Sequence, residues 1–146
     1  MTRSGSMPTR VSESIRFALC AVATLSCLSA LLGMWMALSG DGGFPTQYLD
    51  RTPFSSAAIP GLILGLVVGG TQAAAAWSLI QRRRTSLLLS GIAGCAMVIW
   101  IFAELAMILQ YSALQSMFLG VGLAEIVMVF ALLGIEPRVV ASWKAA

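Results

Sequence analysis

The chain has 146 residues, of which 58% are hydrophobic and 10% charged, with a mean hydropathy of +0.88 and a formal net charge of +3. Charged residues approach a quarter of an ordinary soluble domain, so this composition excludes a typical water-soluble fold. The basic excess consists of a few residues flanking apolar blocks rather than one basic face, which argues against a nucleic-acid partner.

In chain order, residues 1–12, MTRSGSMPTRVS, are polar and punctuated by Ser, Gly and Pro, and read as a flexible tail. Residues 13–136 read as one transmembrane domain and 137–146 as a second tail. The apolar residues gather into four blocks, about 17–38, 57–80, 86–109 and 116–135. A hydrocarbon core about 30 Å thick needs roughly 20 helical residues, and each backbone amide inside it must be satisfied within its own segment. The blocks lack the short alternation of barrel strands. The expected fold is therefore all-α, a four-helix integral membrane bundle running up-down-up-down. Arg residues ahead of the first block and the small-residue stretch Ala37-Leu38-Ser39-Gly40 imitate a signal peptide. The apolar run exceeds the roughly 7–15 residues of such a segment, and reads as a retained membrane helix.

The outer loop, 39–56, mixes turn formers with Phe44, Tyr48 and Phe54, a composition suited to the headgroup level. Its candidate recognition surface is Tyr48, Asp50, Arg51 and Phe54. In the second span Gly61, Gly65, Gly69 and Ala73 recur at every fourth position and predict a close-packing stripe, assigned to contacts within the chain. Ser29, Gly33 and Ala37 offer a complementary stripe in the first span, and Gly120 and Ala124 another in the fourth.

Arg3, Arg10, Arg16, Arg82, Arg83, Arg84, Arg138 and Lys144 fall on one side of this arrangement, and only Arg51 on the other. The positive-inside rule then puts both termini in the cytoplasm and the chain in the plasma (inner) membrane as a multi-pass protein. Cys20, Cys27 and Cys95 all lie inside spans without a C-x-x-C pair, and read as packing residues.

The unusual residues are two carboxyls within spans, Glu104 and Glu125. Such groups are costly in lipid and face the interior or a water-filled cavity. With the outer turn centred between Ser112 and Leu114, both lie within roughly 6 Å of the same depth at about 1.5 Å per residue, so the two are expected as neighbours. Gln72 of the second span lies at a reachable depth, and Trp100 sits mid-span away from the aromatic belts. Glu104, Glu125, Gln72 and Trp100 thus form the candidate intramembrane polar site. It reads either as hydrogen-bonded glue between helices or as a proton- or cation-responsive site.

The chain contains no histidine, which removes the His-based haem, acyl-transfer and metal arrangements, and two glutamates are too few for a metal site. No P-loop or dinucleotide-binding glycine pattern is present. No cofactor, metal or catalytic residue is assigned.

The segments TPFSSAAIPGL (52–62), Arg82–Arg84, Trp100-Ile101 and Ser112-Ala113-Leu114-Gln115 follow one another in an order that resembles an uncharacterised family of small bacterial four-helix membrane proteins, common in actinobacteria. The family pattern is an SPF-x4-[IL]-PGL entry to the second helix, arginines after it, a Trp-Ile pair in the third and an S-x-LQ turn before the fourth. The resemblance covers about residues 45–135 and implies a topology but no activity. Ala113 stands where the family usually has an aromatic, and no Pro follows Gln115.

Three functions are weighed in order. The first is a non-catalytic subunit or scaffold of a membrane complex, whose partners are the bilayer and another membrane protein or a second copy. The second is a small proton- or cation-coupled transporter or channel using Glu104 and Glu125. The third is a lipid- or quinone-directed enzyme with an outer-face site drawn from Asp41, Tyr48, Asp50, Arg51 and Tyr111.

Overall fold

The computed structural model describes residues 7–39, 54–107 and 111–135. Among these, the fold is all-α: four helices, α1 (Met7–Ser39), α2 (Ala58–Ile80), α3 (Ser86–Met107) and α4 (Ala113–Ile135), each long and apolar enough to cross a membrane. The first helix starts ahead of the expected span. Pro8 is tolerated there because a first-turn amide has no intrahelical acceptor to lose, and the following TRVSESIR continues the helix as a polar extension of the apolar run.

Large apolar side chains, among them Phe17, Leu66, Ile99, Phe102 and Phe130, point outward. A soluble domain would bury them; in lipid that exterior is the favourable one, and the interior must be held by close packing and hydrogen bonds.

Small residues supply the close packing. A Cβ on Gly61 would collide with Ala37, and one on Gly65 with the Met34 side chain, while Gly69 faces Ala30 at 3.5 Å. The α2 glycines therefore pack within the chain, against Ala30, Met34 and Ala37 of α1. Of the expected Ser29, Gly33 and Ala37, Ala37 faces the stripe, whereas Ser29 is exposed and Gly33 meets Leu64.

The stripe also stops earlier than its spacing suggests, for Ala73 is exposed. Four residues overshoot a 3.6-residue α turn, so a strict four-residue row drifts around an α-helix. Between Leu64 and Gly69 the helix widens into a π segment, which takes more residues per turn and keeps Gly61, Gly65 and Gly69 in line. Once α geometry resumes at Gly70, the row rotates outward and Gln72, Ala75, Ala76 and Leu79 occupy the interior face. Thr71 closes the π segment by donating its hydroxyl to the carbonyls of Val67 (2.8 Å) and Val68 (3.0 Å).

Three layers fill the interior. Leu19, Leu79, Leu87, Val129 and Leu132 form one, Ala23, Ala75, Ala76 and Ala93 a second, and Ala30, Val68 and Met97 a third, flanked by half-buried Leu64, Trp100 and Phe118. The turn between α2 and α3 ends α2 with two backbone bonds, Arg83 N–H to Ser78 O (3.0 Å) and Arg82 N–H to Leu79 O (3.1 Å). Together they make a Schellman cap, whose left-handed position normally belongs to glycine. Arg82 holds it here with φ of 50°, at a cost of about 1 kcal/mol.

The buried polar pair and the amide that caps α4

Gln72 comes from α2, immediately after the π segment, and Glu125 from the middle of α4. The amide Nε2 of Gln72 donates to Glu125 Oε2 at 2.9 Å, and both residues are shut away from the surface, Gln72 0% and Glu125 1% exposed. Glycines on α3 and α4 make this approach feasible. A Cβ on Gly94 would stand 3.0 Å from Gly122 O and 3.2 Å from Glu125 Cβ, and one on Gly122 would stand 3.1 Å from Gly94 O and 3.1 Å from Met97 Cγ. The α3 and α4 backbones thus touch at the level of Glu125, and its carboxyl is directed towards α2.

The pair is incompletely satisfied. Gln72 Oε1 and Glu125 Oε1 are both buried without a hydrogen-bond partner. Each is an acceptor, and in a dry interior an unpaired acceptor costs about 1–3 kcal/mol.

Glu104 stands elsewhere. It is half-buried near the C-terminal end of α3, ten residues beyond Gly94, or about 15 Å along the helix. The side chain of Gln115, in the first turn of α4 and itself buried, lies beside its carboxyl. The expected adjacency of Glu104 and Glu125 is therefore not found. Ser112 caps α4, and it is Gly94, not Glu104, that stands at the level of Glu125.

That cap is a reciprocal box. Ser112 Oγ accepts from Leu114 N–H at 3.3 Å, and Gln115 Oε1 accepts from Ser112 N–H at 2.9 Å. Tyr111 and Ser116 add a hydroxyl–hydroxyl hydrogen bond beside it. Gln115 is the site residue that sequence reasoning missed as a partner. Its signal was the S-x-x-Q spacing, which commits the amide oxygen to the cap and leaves the amide nitrogen for Glu104.

Of the remaining candidates, Trp100 joins the Ala30, Val68 and Met97 layer. Phe54 is half-buried ahead of α2, whereas Tyr48, Asp50 and Arg51 lie outside the described residues. Cys20, Cys27 and Cys95 are free thiols. Among the described residues no group of three or more Cys, Asp or Glu side chains is placed to hold a metal. Comparisons with protein-family models, with curated proteins and with solved structures returned no match.

Proposed function

We propose that this chain is a non-catalytic subunit or scaffold of a plasma-membrane complex. In this reading it forms an up-down-up-down four-helix bundle with both termini cytoplasmic, of the kind found in the small bacterial family its motifs resemble. The orientation rests on the arginines of the α2–α3 turn and of the N-terminal stretch. The observation that carries the subunit reading is how the small residues are divided. Gly61, Gly65, Gly69, Gly94 and Gly122 are all engaged inside the chain. Gly120 and Ala124, four apart on α4, are exposed, and a Cβ on Gly120 would meet nothing within 4 Å. A small-xxx-small face of this kind admits another helix at close range.

Native mass spectrometry of the protein extracted gently from its host membrane tests this. A stoichiometric complex that dissociates in Gly120→Leu, while the isolated chain keeps its thermal stability, supports it. A chain that emerges alone, or a complex indifferent to Gly120→Leu, refutes it.

The transporter reading keeps one observation in its favour, the unpartnered oxygens of Glu125 and Gln72. It requires pH- or cation-dependent flux in proteoliposomes that Glu125→Gln abolishes; wild-type vesicles without flux at any pH would remove it.

A further inference from the structure

We infer that the interior holds a single bound proton on Glu125, donated from Oε1 to the amide oxygen of Gln72, and that this proton completes the link between α2 and α4. The inference does not depend on whether a partner protein exists.

It follows from a count of donors and acceptors. A carboxylate has only acceptor sites, and a glutamine amide has one acceptor and two N–H donors. The observed bond uses Gln72 Nε2 and Glu125 Oε2, leaving an acceptor on each side of the pair. Two acceptors cannot satisfy one another. One added proton converts the carboxylate into an acid, whose O–H is the donor the Gln72 oxygen lacks. Acid and amide can then exchange two hydrogen bonds in a ring, and both orphan oxygens are satisfied at once. Reversing the Gln72 amide leaves the count unchanged: its oxygen would then face the carboxyl and again require an O–H.

Among the described residues the surroundings supply no competing cation. The layers around this level contribute Ala23, Ala75, Ala76 and Ala93 on one side and Ala30, Val68 and Met97 on the other, none of them titratable. From α3, Gly94 stands against Glu125 Cβ, and from α2 Gln72 meets the carboxyl. The charged groups among the described residues stand at the ends: Arg10, Glu13 and Arg16 early in α1, Arg82–Arg84 after α2, and Glu104 ten residues from Gly94. An ionised Glu125 would thus be a buried anion with one hydrogen bond and no counter-ion, the arrangement that a low-dielectric interior tolerates least.

Infrared spectroscopy of the full chain in lipid vesicles near neutral pH tests this, because a protonated carboxyl has a carbonyl stretch well separated from the carboxylate bands. The expected result is one such band that moves when the chain is labelled with carboxyl-13C glutamate, vanishes in Glu125→Gln and persists in Glu104→Gln. Gln72→Asn, which withdraws the amide by one methylene, should shift the band without removing it, a readout that survives if Glu125→Gln fails to fold. Absence of the band from the wild type would overturn the inference, the orphan oxygens then being met by a buried water or a cation. So would a band lost in Glu104→Gln but kept in Glu125→Gln, or one insensitive to the glutamate label.

Discussion

Glu125 and Glu104 are each a span carboxyl matched to a glutamine on a neighbouring helix, yet the two pairs solve different problems. Glu125 meets Gln72 at the centre, where both side chains are fully buried and the amide has no other partner. Glu104 lies beside Gln115 where α3 ends and α4 begins, away from the centre, where the carboxyl is half-buried and the same amide also closes the N-cap of α4. The central pair links two helices far apart in sequence and depends on tight backbone contact to stay dry. The outer pair ties a helix end to its neighbour close to the surface, where water can replace whatever bond is lost. Residue types are the same in both; depth decides how much each is worth.

The largest effect should come from wedging the central pair open. In Gly94→Leu the new side chain has to displace Gly122 O and Glu125 Cβ, which already stand 3.0 and 3.2 Å from a bare Cβ. A destabilisation of about 3 kcal/mol is expected from overpacking against backbone, read as an earlier midpoint in denaturing-detergent titration. A midpoint like that of the wild type would mean that α3 and α4 are not in contact here. Next, Gln72→Ala deletes the one hydrogen bond that Glu125 makes among the described residues, for about 2 kcal/mol by the same titration. If Gln72→Ala costs no more than Gln115→Ala, burial does not separate the two pairs.

Much of this was legible from the residues. Three spans end within a few residues of the helices, since runs of apolar residues long enough to cross lipid admit little else. Gln72 and Glu125 could be grouped because both fall near the middle of their spans and a polar side chain there has few places to go. What failed was azimuth and axial offset. Ala73 was placed on the packing face because a four-residue spacing was extended as if α2 were uniform, whereas the π segment aligns the first three members and the return to α geometry rotates the fourth away. The depth of Glu104 relative to Glu125 is not fixed by counting from a turn, since Gly94 is the α3 residue at the level of Glu125. The S-x-x-Q box that starts α4 at Ala113 was in plain view, but its consequence for depth depends on how two helices slide past one another, which no local pattern records.

The outer pair should respond more weakly, and its two members unequally. Gln115→Ala removes both the reciprocal half of the capping box and the partner of Glu104, for about 1 kcal/mol, a typical cost for a lost cap. Glu104→Gln leaves the cap intact and keeps a side chain able to hydrogen-bond Gln115, so a change within about 0.6 kcal/mol is expected, the scale of an average interhelical hydrogen bond in a membrane. Combining Gln115→Ala with Glu104→Ala, which cannot hydrogen-bond the amide, separates the two contributions. If most of the effect of Gln115→Ala lies in the cap, it should cost nearly the same with Glu104→Ala in place. If the cost instead disappears in the double variant, the carboxyl is the main partner of that amide. The outer pair would then resemble the central one more closely than its exposure suggests.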